Sequence, residues 1–302
     1  MRLSHSRSRP RLLARSHPIK SQGVIPVNTV LITGASSGIG KATALYFQQR
    51  GWRVIATMRS PEKCPDLAQL PHCQLLALDV TNLDSVQRAI TTALDTGEPI
   101  DVLVNNAGYG LVGAFEAVTP EQIQRQFDTN VFGLMTVTRA LLPHFRQRRQ
   151  GVVVNISSVG GQMTFPLYSL YHATKWAVEG FSESLQYELQ PWNIRVKIIE
   201  PGPIKTDFYQ RSADVQRSPD YTRFENRILL NIERTSQNGA PPELVAQTIY
   251  RASTDRSWQL RYPADPLARS LLWLRKLIPD GLFTALIRRQ LISHNQSSEL
   301  TG

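Results

Sequence analysis

The sequence predicts an α/β fold, a single-domain doubly wound parallel sheet with a C-terminal helical extension. Two observations carry that expectation. Short apolar, β-branched runs alternate with segments of helical periodicity from Asn28 to Arg251, the pattern of strands buried between crossover helices. The first of these runs passes directly into a glycine-rich turn and then a helix. A chain of 302 residues suits one large domain or two smaller ones, and the alternation favours one.

The first strand is Asn28-Thr-Val-Leu-Ile-Thr33. Gly34-Ala-Ser36-Ser37-Gly38-Ile39-Gly40 follows, and then a helix from Lys41 to Arg50, stopped by Gly51. This order aims backbone N–H groups and a helix N-terminus at phosphate. Thr33, Gly34, Ser36, Ser37, Gly38, Ile39 and Gly40 are therefore candidate nucleotide-binding residues of a Rossmann-type unit. The spacing is G-x-x-x-G-x-G rather than G-x-G-x-x-G. The second strand, Trp52 to Thr57, leads into Met58-Arg59-Ser60, with no acid before Glu62. NAD sites usually carry an acid at this place, whereas a guanidinium suits a 2′-phosphate. Arg59 thus points to NADP(H) over NAD, with a solvated loop arginine as the plainer alternative.

A third strand from Leu75 to Val80 places Asp79 where an adenine edge would lie. A fourth, Ile100 to Val104, runs into Asn105-Asn106-Ala107-Gly108, small residues that let backbone approach a cofactor. Asn130 falls within one long helical pattern from about Pro120 to Arg146. It reads either as an ordinary kink-associated residue or as the anchor of a proton-relaying water.

Val152 to Ile156 is an apolar run ending in Ser157-Ser158, and twelve residues later stands Tyr171-x-x-x-Lys175. A helix brings Tyr171 and Lys175 onto one face. An isolated phenol, with a pKa of about 10, is a poor acid or base near neutrality, and a neighbouring ammonium lowers that value. Tyr171 with Lys175 reads as a tuned proton donor and acceptor, and Ser158 as a holder of the substrate oxygen. Taken alone, such a pair is more often a surface contact. Tyr168 makes no rival pair, because His172 stands four residues after it.

Together, Thr33-Gly34-Ala-Ser-Ser-Gly38-Ile-Gly40, Asp79, Asn105-Asn-Ala-Gly108, Asn130, Ser158, Tyr171-x-x-x-Lys175 and Pro201-Gly202 resemble the short-chain dehydrogenase/reductase family, over roughly residues 28–250. Ala-Thr-Met-Arg59 also resembles its hydroxysteroid and retinol dehydrogenase branch. The resemblance implies a catalytic set of Asn130 (proton relay), Ser158 (substrate oxygen), Tyr171 (acid/base) and Lys175 (cofactor ribose and Tyr171). It adds Tyr171, Lys175, Pro201, Gly202 and Thr206 to the cofactor contacts. The implied reaction interconverts a carbonyl compound and an alcohol, and homodimers or homotetramers pair through helices at about 120–146 and 170–190. The apolar segment Gly161 to Leu167 passes between Ser158 and Tyr171. Met163, Phe165, Tyr168 and Phe208, bordered by Phe115 and Leu167, are expected to bind a lipophilic substrate such as a steroid, retinoid or fatty carbonyl compound; the same residues also suit a core. A non-catalytic NADP(H) sensor or scaffold of the same fold is the alternative. A sugar-nucleotide epimerase is disfavoured by the glycine spacing.

Four segments are expected: a basic tail over 1–25, a catalytic domain over 26–257, a helical extension over 258–294 and a tail over 295–302. Residues 203–240 read as an irregular polar flap over the substrate. The formal net charge is +10, but 26–250 is neutral and the excess sits at the two ends, which argues against a nucleic-acid partner. Residues 1–25 carry six Lys/Arg and no acid. They suit a disordered tail first, and otherwise a transit peptide or an over-called start. Cys64 and Cys73 have no metal-ligand spacing and suit a reducing cytoplasm, and no metal site is expected. No apolar run reaches the length of about 18 needed for a span. The amphipathic segments from Pro266 to Ile292, broken at Pro279-Asp280-Gly281, read as a helical hairpin on the core. A sharper reading has them roof an apolar pocket and touch an anionic membrane surface.

Overall fold

The computed structural model describes residues 27–205 and 213–289. Its main sheet has seven parallel strands in the order β3-β2-β1-β4-β6-β7-β9. The strands are β1 (Thr29–Thr33), β2 (Arg53–Met58), β3 (Cys73–Ala77), β4 (Val102–Asn105), β6 (Gly151–Ile156), β7 (Ile194–Glu200) and β9 (Arg261–Pro263). A small parallel pair, β5 (Gly110–Val112) and β8 (Ala213–Val215), stands apart. The helices are α1 (Gly38–Gln48), α2 (Pro65–Ala68), α3 (Leu83–Leu94), α4 (Pro120–Phe127), α5 (Leu134–Arg148), α6 (Ser169–Leu189), α7 (Thr222–Gln237), α8 (Pro242–Thr254), α9 (Pro266–Leu277) and α10 (Asp280–Ile287).

The period of two along each strand sorts the core into two layers. Val30, Ile32, Val102, Val104, Val152 and Val154 face α1 and α8, where Ala44, Phe47, Val245 and Ile249 pack. Leu31, Leu103 and Val153 face α3, α5 and α6, against Ile90, Leu141, Phe145 and Leu185. Burial on both faces is why these strands are apolar throughout. A third cluster joins Val159 and Met163 to Ala268 and Leu272, with Phe165 and Phe283 against it.

Three features depart from the sequence reading. The pattern over 120–146 is helical, but Asp128–Gly133 is a π-turn between α4 and α5, so the stretch is not one regular helix. The segment 203–240 is not an irregular loop: Thr222–Gln237 is helical. Its buried face is narrow, with Glu225 and Ile228 inside, and most of its other positions are polar, which hid the periodicity. The sheet also continues past residue 257, because β9 pairs with β7. That strand is three residues long and ends in proline, too short for a pattern to reveal. The part of the expected flap at 206–212 and both expected tails, 1–25 and 295–302, lie outside the described residues.

Phe145 is fully buried, and a Cβ on Gly151 would come 2.4 Å from its ring. Phe145→Ala should lower the unfolding free energy by about 3–5 kcal/mol, read by urea denaturation. Phe115→Ala, at a side chain 61% exposed, should stay within about 0.5 kcal/mol.

Candidate active site

The strand order reverses between β1 and β4, and in such sheets the crevice beyond the strands' carboxyl ends at that switch is where ligands bind. Here it is closed by polar stitching. Thr33 Oγ1 accepts from the Asn106 and Ala107 N–H groups, each at 3.0 Å. Asn106 Nδ2 donates to the Thr33 and Gly34 carbonyls, each at 3.0 Å. Thr33 and Asn106 thus hold the glycine turn against the end of β4. Gly34 has φ +67°, and a Cβ there would meet Ala107 Cα at 2.8 Å. A Cβ on Gly40 would lie 2.3 Å from the Gly34 carbonyl oxygen. Both glycines are required by close backbone approach.

Helix α1 begins at Gly38 with no side-chain cap from Ser37 and no acid in its first turn. Its first N–H groups, with Ser36, Ser37 and Ile39 around them, therefore fit the pyrophosphate of a dinucleotide. Arg59 follows β2 and is exposed. The Asp79 carboxylate accepts from the Thr81 N–H and hydroxyl, at 2.9 and 2.7 Å, so a turn at the end of β3 orients it. The donor set suits a nicotinamide dinucleotide.

Tyr171 and Lys175 share one face of α6, and the Lys175 ammonium lies 5.6 Å from the Tyr171 ring centre. Lys175 is buried and donates to the Ile156 carbonyl at 2.9 Å. Burial pushes its pKa down to about 8, and the Glu179 charge opposes that shift. Ser158 caps the short turn Val159–Gly161 and accepts from the Gly160 N–H at 3.0 Å. The end of β6 thus presents Ser158 and α6 presents Tyr171.

Asn130 stands in the π-turn. Its Oδ1 accepts from the Tyr109 N–H at 3.0 Å, and its Nδ2 donates to the Tyr109 carbonyl and to Thr174 Oγ1 at 2.9 and 3.1 Å. The side chain braces the loop of Gly108 and Tyr109 to α6. Pro201 accepts from the Val159 N–H at 2.9 Å, and the Gly202 N–H donates to Asp265 at 2.9 Å.

The expected substrate residues are dispersed. Met163 is 2% exposed and packs in the cluster beneath α9. Tyr168 is buried and stacks on His172 at 5.5 Å. Phe165 borders a recess of 510 Å³ together with Pro166, Leu167, His172 and Trp176. On α6 those last two lie roughly a quarter to a third of a turn from Tyr171 and Lys175, so this recess flanks the catalytic face. Burial holds the His172 pKa down at about 4, so the ring is neutral. Thr206 and Phe208 lie outside the described residues. The sequence reading passed over Thr174, Glu179, Glu200, Arg261 and Asp265. Only Glu179 left a trace, two helical turns beyond Tyr171.

Comparisons with known proteins agree with this geometry. A sequence model of the short chain dehydrogenase family matches residues 28–216. The chain is 36% identical over 267 residues to a 3-ketodihydrosphingosine reductase of Bacteroides thetaiotaomicron, covering 86% of this chain and 96% of that one. It matches the crystal structure of a short-chain dehydrogenase from Streptomyces avermitilis with a TM-score of 0.78 and 36% identity, over 87% and 96% of the two chains. Neighbours hold either cofactor. ElxO with NADP bound matches at 28% identity and TM-score 0.69, over 81% and 99% of the two chains. A 3-ketoacyl-(acyl-carrier-protein) reductase from Brucella melitensis with NADH matches at 26% and 0.66, over 78% and 97%. The chain is an oxidoreductase belonging to the short-chain dehydrogenase family.

Proposed function

We propose that this protein is an NADP(H)-dependent oxidoreductase interconverting a lipophilic carbonyl compound and its alcohol. The observation that carries the reading is the buried Lys175 ammonium beside Tyr171, with Ser158 presented from the adjoining strand end. When bound, the nicotinamide supplies hydride in reduction and accepts it in oxidation. Ser158 and Tyr171 hold the substrate oxygen, and Tyr171 gives it a proton in reduction or takes one in oxidation. Lys175 stabilises the phenolate form of Tyr171. Asn130 keeps the loop at Gly108 and the π-turn in place, from whose backbone a water can return the proton.

Arg59, at the end of β2 without a neighbouring acid, supports the 2′-phosphate and hence NADP(H). The lipophilic substrate is supported by the apolar passage from Gly161 to Leu167 and by the sphingoid named for the Bacteroides relative. Free Cys64 and Cys73 suit a reducing cytoplasm. Exposed Phe132, Trp176 and Tyr187 on the 120–148 stretch and α6 support pairing of copies through those helices.

The C-terminal helices support peripheral contact with an anionic bilayer. Helix α9 packs Ala268 and Leu272 inward and turns Leu267, Trp273, Leu274 and Leu277 outward, Trp273 being 65% exposed. Arg269 and Lys276 flank this stripe, Leu282 and Leu286 continue it on α10, and Arg289 follows that helix. Among the described residues no helix is long and apolar enough to cross a membrane, so the contact proposed is interfacial.

Tyr171→Phe should lose turnover by about 10²–10⁴ in a screen of long-chain ketones, while still quenching with NADPH; near-normal turnover would remove Tyr171 from the role. Because Lys175 loses its proton as pH rises through about 8, reduction should slow above that pH. Fluorescence titration should show NADPH bound more tightly than NADH, with Arg59→Asp weakening NADPH by about 10- to 100-fold. Wild-type preference for NADH would overturn the cofactor assignment. The protein should sediment with phosphatidylglycerol vesicles and not with phosphatidylcholine ones, and the Trp273→Ser/Leu277→Ser variant should stay in the supernatant. Equal sedimentation of that variant would end the membrane reading.

A further inference from the structure

The Lys175 ammonium is one member of a larger buried set of charges. Glu179 lies one turn further along α6 and is 5% exposed. Arg261, on β9, donates through Nε to Glu179 at 2.9 Å and through a terminal nitrogen to Glu183 at 2.6 Å. Ser157 Oγ and Glu179 Oε1 are both buried beside Gly161, where a Cβ would come within 2.6 and 3.2 Å of them. Gly161 is thus the space that lets the Glu179 carboxylate reach the end of β6. Glu200, at the end of β7, is 1% exposed and hydrogen-bonds with Gln162 Nε2.

The electrostatics have one consistent arrangement. Burial pushes the Glu179 carboxyl upward, while Ser157 and Arg261 pull it back. Burial, and then the Glu179 charge, push Glu200 up to about 7. Of the two buried acids, Glu179 is the one bonded directly to a guanidinium. The groups about Lys175 and Glu179 are Tyr171 and Glu183 on α6, the Ile156 carbonyl at the end of β6 with Ser157 just after it, Glu200 at the end of β7 and Arg261 on β9. Glu179 is the nearest anion along the helix, and its charge acts on Lys175 against the cost of burial.

We propose that Glu179 is a positioning residue, its Arg261-anchored carboxylate keeping the buried Lys175 ammonium charged beside Tyr171. The inference rests on the role given to Lys175 above and extends it to a residue of the C-terminal segment. Arg261 lies on β9, so the catalytic helix is coupled to the last strand of the sheet.

The test reads Lys175 directly and needs no substrate. Full-length protein carrying ¹³C-labelled lysine would be titrated by NMR, with the Lys175 Cε signal assigned by Lys175→Met. Glu179→Gln should lower the Lys175 midpoint by about one pH unit or more. Glu183→Gln, which removes only the exposed partner of Arg261, should leave it in place. A folded Glu179→Gln protein with an unmoved midpoint overturns the proposal, as does Glu183→Gln acting as strongly as Glu179→Gln. Should Glu179→Gln fail to fold, an unmoved midpoint in Glu179→Met overturns it equally. Reduction by Glu179→Gln should also begin to fall at lower pH than in the wild type, while NADPH affinity changes less than about threefold. Failure of the enzymatic reading would appear separately, as normal turnover in Tyr171→Phe.

Discussion

Keeping a charged ammonium inside the protein is the constraint on which the site depends. Lys175 is buried to 8% exposure and has one backbone acceptor, the Ile156 carbonyl. An isolated buried ammonium is costly enough that it normally gives up its proton. The fold answers with geometry: α6 packs on one face of the sheet with its first turns beside the carboxyl end of β6, so the lysine reaches the last carbonyl of β6, and the same helix carries a carboxylate one turn on. A phenol placed one turn back is then exposed on one side to the crevice and faces a fixed positive charge on the other. The chemistry proposed for Tyr171 follows from that placement more than from any property of tyrosine.

A second constraint is the close approach at the switch point. The Gly34 turn, the end of β4 and the start of α1 come within contact distances that exclude a Cβ at Gly34 and Gly40. Thr33 and Asn106 spend their polar groups holding these backbones together. The consequence is indirect: neither side chain is free for much else, yet the uncapped N–H groups of α1 are aimed by them. Asn130 repeats the pattern, with an amide spent on Tyr109 and Thr174 and a π-turn that displaces its own backbone from the regular ladder. Several residues that sequence reasoning assigns to ligand contact thus have their polar groups engaged in holding neighbouring backbone.

What was legible in the sequence follows from distance along the chain. The glycine turn and the Ser158–Lys175 stretch each lie on one short continuous segment, so their spacing already encodes their geometry. The central strands were legible because both faces are buried and the runs are apolar throughout. The pairing of Arg261 with Glu179 spans 82 positions and leaves no local pattern. Helix α7 was hidden because so few of its residues are buried, and the π-turn because one inserted backbone residue does not disturb an apolar repeat enough to show. Met163 was misleading in a different way. An apolar segment beside a reacting centre can face either the crevice or the protein, and α9 covers this side chain with Ala268 and Leu272.

The C-terminal segment is where these threads meet. Its first strand supplies Arg261 to the buried acids. The residue before α9, Asp265, caps that helix by accepting from Ala268 and also accepts from the Gly202 N–H at the end of β7. The inner face of α9 closes over Val159 and Met163, directly after Ser158. Each contact touches a different edge of the site: the lysine's electrostatics, the turn after β7, and the wall behind Ser158. The apolar outer face of the same helices is left to make contacts of its own. The placement of α9 is therefore tied to Asp265, Gly202 and the Ser158 turn together.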